Sequence, residues 1–129
     1  MYRNYGNLRK YGNSKICVDN IMFDSKREAM RYCELKTLEA AGQIKDLQLQ
    51  KEYELIPAQY EDTVREWQKG RKCKPKCLER AVKYKADFVY IDTETGAIVV
   101  EDTKGMRTKE YIIKRKLMLF RHGIRVKEV

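Results

Sequence analysis

The stretch Lys85-Ala86-Asp87-Phe88-Val89-Tyr90-Ile91-Asp92-Thr93-Glu94-Thr95-Gly96-Ala97-Ile98-Val99-Val100-Glu101-Asp102-Thr103-Lys104 decides the fold. Two short runs of aromatic, β-branched and small apolar residues flank a polar, glycine-containing turn at Asp92 to Gly96, the pattern of a β-hairpin. Alternate residues of a strand point the same way, so Ile98, Val100, Asp102 and Lys104 share one face. That strand starts apolar and ends in an acid and a base side by side. On its partner, Asp87 enters the run Phe88 to Ile91 at a position where packing would prefer a hydrophobe. With the turn centred on Thr93 to Thr95, Asp87 falls roughly opposite the Asp102 end, and two carboxylates converge beside an ammonium. Glu101 also neighbours Lys104, but an i, i+3 pair on a strand points to opposite faces, which selects Asp102.

Upstream, a helix is predicted from about Ser25 to Ala41, opened by the capping-box pattern Ser25-x-x-Glu28 and closed by Gly42. Tyr32 and Leu35 lie within about forty degrees of Glu28 on the helical wheel, so this carboxylate starts the face that should be buried. Ile44 to Ile56 alternates Leu47, Leu49, Tyr53 and Leu55 with Gln48, Gln50, Glu52 and Glu54, as a long strand with one buried face does. Another strand spans Leu78 to Ile91. Beyond the hairpin, a second helix runs from its N-cap Thr108 to His122, with Ile113, Leu117 and Phe120 on one face and Gly123 as its cap, and Ile124 to Val129 forms a last strand. The order is α-β-β-β-α-β in a single domain, 1–129, of α/β (α+β) class.

The chain of 129 residues carries 28 Lys plus Arg against 19 Asp plus Glu, a net charge of +9. Its one histidine excludes a two-histidine zinc site within one chain, and the phosphate-binding glycine motifs of nucleotide enzymes are missing. No apolar run approaches the ~18 residues needed to cross a bilayer, and the polar start has no signal-peptide core, so a cytoplasmic protein without membrane contact is expected. From Arg65 to Lys85 there are nine basic residues against two acidic ones, and an N-terminal arm, 1–15, adds Arg3, Arg9, Lys10 and Lys15 with no acid. Residues 60–77 read as a basic insertion loop or hairpin. Clustered Lys and Arg displace counterions from a phosphate backbone, which makes DNA the expected partner, with Arg71, Lys72, Lys74 and Lys76 as contacts and Lys109 and Lys114 of the second helix beside them. A solvated helix face explains Lys109 and Lys114 about as well.

Phosphodiester hydrolysis needs the hairpin's residue set. A divalent ion between Asp87 and Asp102 would neutralise a nonbridging oxygen and activate water; magnesium suits a few hard oxygens, and manganese can substitute. Lys104 would orient the water and offset developing charge, and Glu28 would complete the site from the helix. Gln48 and Gln50 face away from the leucines, toward the site, the DNA or solvent. Cys73-Lys-Pro-Lys-Cys77 is tight enough for zinc, but the only other cysteines are Cys17 and Cys33, so free thiols are the expectation.

Asp87 followed by Asp102-Thr103-Lys104 on a hairpin, with a Glu28-bearing helix before and a helix and strand after, resembles the PD-(D/E)XK nuclease superfamily. The segments Lys10-Tyr11-Gly12-Asn13, Phe23-Asp24-Ser25-Lys26-Arg27-Glu28, Lys85-Ala86-Asp87-Phe88 and Val100-Glu101-Asp102-Thr103-Lys104-Gly105 look more narrowly like a phage-encoded family of small proteins placed in that superfamily. Ala86 stands where the motif has proline. The resemblance covers nearly the whole chain and implies a restriction-endonuclease-like three-layer core with a central mixed sheet flanked by helices. It also implies metal-dependent DNA cleavage by Asp87, Asp102, Lys104 and Glu28, in the cytoplasm of a phage-infected or lysogenic bacterium. A Holliday-junction substrate would call for a twofold homodimer, since two symmetric cuts need two sites. The alternatives are a catalytically silent nucleic-acid-binding module and an accessory protein that binds a protein partner.

Overall fold

A computed structural model describes residues 15–61, 75–104 and 106–129. Most of the N-terminal arm, Arg65, Lys69, Arg71, Lys72, Lys74 and Cys73 lie outside the described residues. The elements are β1 (Ile16–Val18), β2 (Ile21–Phe23), α1 (Lys26–Ala40), β3 (Ile44–Ile56), β4 (Gln59–Tyr60), β5 (Cys77–Glu79), β6 (Val82–Asp92), β7 (Ile98–Asp102), α2 (Lys109–His122) and β8 (Lys127–Glu128). The fold is α+β, with a central mixed four-stranded sheet in the order β3-β6-β7-β8 and, among the described residues, two helices. The expected α-β-β-β-α-β order is realised by α1-β3-β6-β7-α2-β8. Among the described residues no helix is long and apolar enough to cross a membrane.

The chain forms two compact units, Met1–Leu47 with Tyr90–Ile98, and Gln48–Val89 with Val99–Val129. In the first, β1 and β2 pair antiparallel around Asp19 and Asn20, whose φ values of 51° and 62° suit a primed hairpin turn tolerated by Asp and Asn. Phe23 stacks at 5.1 Å on Tyr32, whose hydroxyl donates to Asp19 at 3.1 Å. Ala29, Tyr32 and Leu35 form the buried stripe of α1, spaced as the wheel requires. Ser25 caps the helix by accepting the Glu28 N–H at 3.2 Å. At the other end Gly42, at φ 75°, and Gln43 return N–H bonds to Glu39 and Leu38, a Schellman cap that only glycine enters without strain. The Thr93 N–H then bonds the Gln43 carbonyl at 3.1 Å, and the Asp92 carboxylate holds the Glu94 N–H at 2.9 Å, fixing the turn after β6.

In the second unit, Leu55, Tyr84, Ala86, Val89, Val100, Tyr111, Met118 and Val126 form one core cluster. β4 and β5 pair antiparallel, so the two ends of the 60–77 insertion are bonded to each other. The strand expected over Leu78 to Ile91 is interrupted at Arg80 and Ala81, and its first part belongs to that pair instead of the central sheet. The α2 helix begins and ends where expected, with Thr108 accepting the Tyr111 N–H and Gly123 in the left-handed region, but it packs by a different face. Tyr111 and Met118 are buried and Leu117 packs half-buried against the core as expected, while Ile113 and Phe120 are exposed. Apolar residues occur on both sides of this helix, and the basic side chains that disguise the packed side, Lys114 and Arg115, are only half buried because their charged ends reach Glu110 and Glu128.

Candidate active site

β7 is short, and its last three residues are all buried: Val100, Glu101 and Asp102 are 1%, 0% and 2% exposed. Two adjacent buried carboxylates on opposite faces of a strand each need a partner, because an uncompensated buried charge costs on the order of several kcal/mol. Glu101 pairs in register with Lys127 of β8, whose Nζ lies 3.8 Å from its carboxylate. Asp102 turns the other way and is held by two groups. Its Oδ1 is 3.0 Å from Lys104 Nζ, and its Oδ2 accepts the Tyr84 hydroxyl at 2.6 Å. The pairing of Asp102 with Lys104, two residues beyond the end of the strand, is the one that side-chain alternation selected over Glu101.

Asp87 arrives from β6. Its Oδ2 accepts the Thr103 N–H at 2.8 Å, which brings it to the residue following Asp102, and its Oδ1 lies 3.4 Å from the amide nitrogen of Gln50 on β3. Strict alternation would put Tyr84 and Asp87 on opposite faces of β6. Tyr84, Ala86 and Val89 nevertheless belong to one buried cluster, and the charge of Asp87 acts on the Tyr84 phenol. The phenol of Tyr84 thus feels both carboxylates. Burial, first, and then the hydrogen bond and charge of Asp102, with Asp87 adding to them, hold it protonated far above the ordinary phenol range.

Lys104 has a second neighbour: its Nζ lies 4.3 Å from the centre of the Tyr111 ring. The Tyr111 hydroxyl donates to Glu128 Oε1 at 3.0 Å, and the same oxygen takes Arg115 at 2.9 Å. Burial and Glu128 raise the Tyr111 phenol, while Arg115, ahead of Tyr111 and Arg107, pulls the Glu128 carboxyl below its usual range against the cost of burial. A strand-end Asp–Lys pair is thus propped by an aromatic ring and an ion-pair cluster on α2 and β8.

Of the residues singled out in the sequence, the structure brings Asp87, Asp102, Lys104 and Gln50 together. Gln50 stands in left-handed backbone at φ 53°, a conformation disfavoured for a residue with a Cβ. Glu28 sits, half buried, in the first turn of α1 in the other compact unit. Gln48, Lys76 and Lys109 are exposed; Lys114 is half buried and paired with Glu110 at 3.2 Å. Arg71, Lys72 and Lys74 lie outside the described residues. Cys17, Cys33 and Cys77 are exposed free thiols. Sequence reasoning does not reach Tyr84, Tyr111 and Glu128. For both tyrosines a signal exists, since a buried tyrosine hydroxyl requires a partner.

Among the described residues no group of three or more His, Cys, Asp and Glu is arranged to hold a metal. The donor set nonetheless suits magnesium, which is commonly held by one or two carboxylates and otherwise by waters and phosphate oxygens. Each oxygen of Asp87 and Asp102 can accept more than the one bond named above, and beside them Thr103 Oγ1 is buried with no hydrogen-bond partner among the described residues. No curated protein and no solved structure matches the chain. A family model described as "Protein of unknown function (DUF1064)" matches residues 8–127, and the chain belongs to that family.

Proposed function

We propose that this protein is a divalent-metal-dependent endodeoxyribonuclease of the PD-(D/E)XK kind. The observation that carries the reading is the meeting of Asp87 with Asp102-Thr103-Lys104: one carboxylate bonded to the Thr103 N–H, the other to the Lys104 ammonium. Asp87 and Asp102 would hold magnesium, which when bound supplies charge neutralisation at the phosphate and activation of water. Lys104 Nζ donates toward the phosphate oxygen on which charge develops, and its anchorage to Asp102 and Tyr111 means little reorganisation is needed at that moment. Tyr84 keeps the Asp102 carboxylate aimed, and Gln50 steadies Asp87. The basic segment around 60–77 grips the backbone without reading sequence. Branched DNA, cut by a twofold homodimer, is the favoured substrate within this reading.

The test is cleavage of linear, nicked, flap and four-way DNA with magnesium or manganese, with chelator controls, by the natural chain and by Asp87→Asn, Asp102→Asn and Lys104→Ala. Metal-dependent cutting that falls by several orders of magnitude in both Asp variants, with DNA affinity in calcium retained, is the expected result. DNA binding without cutting under any metal would instead leave a silent binding module.

A further inference from the structure

Around Glu128, to which the Tyr111 hydroxyl donates, lies a cavity of about 580 Å³ lined by Arg107, Arg115, Lys116, Arg125 and Glu128 itself. Four cations surround one carboxylate. Arg107 and Arg115 are both paired with Glu128. Among the described residues Lys116 and Arg125 form no ion pair, though both line the cavity and are exposed at its rim. A protein does not gain by crowding unpaired cations: like charges repel, and the arrangement is favourable when an anion occupies the centre. Leu119 and Val126 supply an apolar wall, so the cavity is larger and less uniformly polar than a bare inorganic ion requires.

We propose that this pocket binds the terminal phosphate of a nucleic-acid strand. A terminal monoester carries about −1.5 to −2 charges at neutral pH, against one for a backbone diester, and so better matches a cluster with three cations in excess. Arginine forks bond two phosphate oxygens at once, and the apolar wall accommodates the sugar and base attached to the phosphate. The pocket's place in the unit gives it a use. Tyr111 is shared, its ring facing Lys104 and its hydroxyl bonded to Glu128, so one aromatic side chain links the pocket to the Asp102–Lys104 pair. A strand anchored by its end is thereby presented beside the carboxylates. That the phosphate belongs to a nucleic acid rests on the hydrolase reading above; that the pocket takes a phosphate monoester does not.

The experiment uses the full chain in chelator, where cutting cannot occur, and labelled oligonucleotides identical except for a phosphate or a hydroxyl at the 5′ or 3′ end. The phosphorylated strand is expected to bind about tenfold more tightly at one end type, a difference typical of one or two charge-assisted hydrogen bonds. That preference should vanish in Arg125→Ala and Lys116→Ala, persist in part in Arg125→Lys, and remain intact in Asp102→Asn. Equal affinity for phosphate and hydroxyl ends, or a preference surviving both alanine variants, overturns the proposal. Because the readout is binding in the absence of metal, a protein that never cuts DNA would sink the hydrolase reading while leaving this result standing.

Discussion

The Tyr84 hydroxyl donates to Asp102 Oδ2 at 2.6 Å inside the second compact unit, while the other oxygen of the same carboxylate meets Lys104. Replacing Tyr84 by Phe leaves the ring in the core and removes only the donor. A buried carboxylate deprived of one partner should cost about 1–3 kcal/mol of stability. Denaturant unfolding of Tyr84→Phe measures this, and a midpoint equal to that of the natural chain would show that the bond contributes nothing.

Glu101 and Asp102 should separate cleanly by type of defect. Glu101→Gln disturbs a buried carboxylate paired with Lys127 and is expected to lower the melting temperature while cleavage per folded molecule stays near normal. Asp102→Asn should abolish cleavage with DNA affinity unchanged or slightly raised. The reverse pattern, active Asp102→Asn and inactive Glu101→Gln, would reassign the acid.

At Gln50 the backbone and the side chain pull in opposite directions. Its left-handed φ favours glycine, whereas its amide approaches Asp87. Gln50→Gly should therefore be more stable than Gln50→Ala by about 1 kcal/mol, while both variants remove the amide beside Asp87 Oδ1 and should cleave more slowly than the natural chain. Thermal melts and single-turnover rates on the pair distinguish the two effects.

The basic segment should govern affinity through ionic strength. Neutralising Lys69, Arg71, Lys72, Lys74 and Lys76 together should weaken DNA binding and reduce the salt dependence, by a slope of about 0.9 for each duplex phosphate no longer neutralised. Titrations at several salt concentrations read this directly; an unchanged slope would remove the segment from the interface.

Acid should loosen the α2–β8 clamp. Arg115, first, and then Tyr111 and Arg107 hold the Glu128 carboxyl below its ordinary value. A depressed acid stabilises the fold above the unfolded pKa, about 4.3 for glutamate, and that stabilisation disappears as pH falls through the folded value beneath it. Unfolding free energies measured from pH 6 down to pH 3 should drop more steeply for the natural chain than for Glu128→Gln. Parallel curves would mean that Glu128 has no such role.

Local chemistry made the helices legible: Ser25 and Thr108 at their starts, and Gly42 and Gly123 after their ends, act within a few residues and are not overridden by packing. The Asp87 and Asp102-Thr103-Lys104 meeting was legible for the same reason, since a hairpin with a tight turn carries its pairing in its own sequence. The packed face of α2 was not, because Arg115 and Lys114 look like solvent residues until Glu128, remote in sequence, comes within reach of Arg115. Tyr84 escaped because its hydroxyl finds its partner, Asp102, on a different strand, a contact that no alternation count along β6 contains.

Asp102 also offers its backbone carbonyl to the Val129 N–H at 3.0 Å, and its strand pairs in parallel with Lys127–Glu128. A growing chain meets these partners in a fixed order. The β6–β7 hairpin can close as soon as it emerges, whereas the parallel partner must wait for the whole of α2 to be made and folded back. A nascent polypeptide therefore holds Asp87, Asp102 and Lys104 well before it holds the Glu128 prop beside them. Fragments ending near Ile124, whether from an early stop codon or from a protease, would keep every proposed reacting group and lack the frame that aims it. If the proposed hydrolysis of nucleic acid holds, such a timetable delays competence until synthesis has passed the residues that complete the frame.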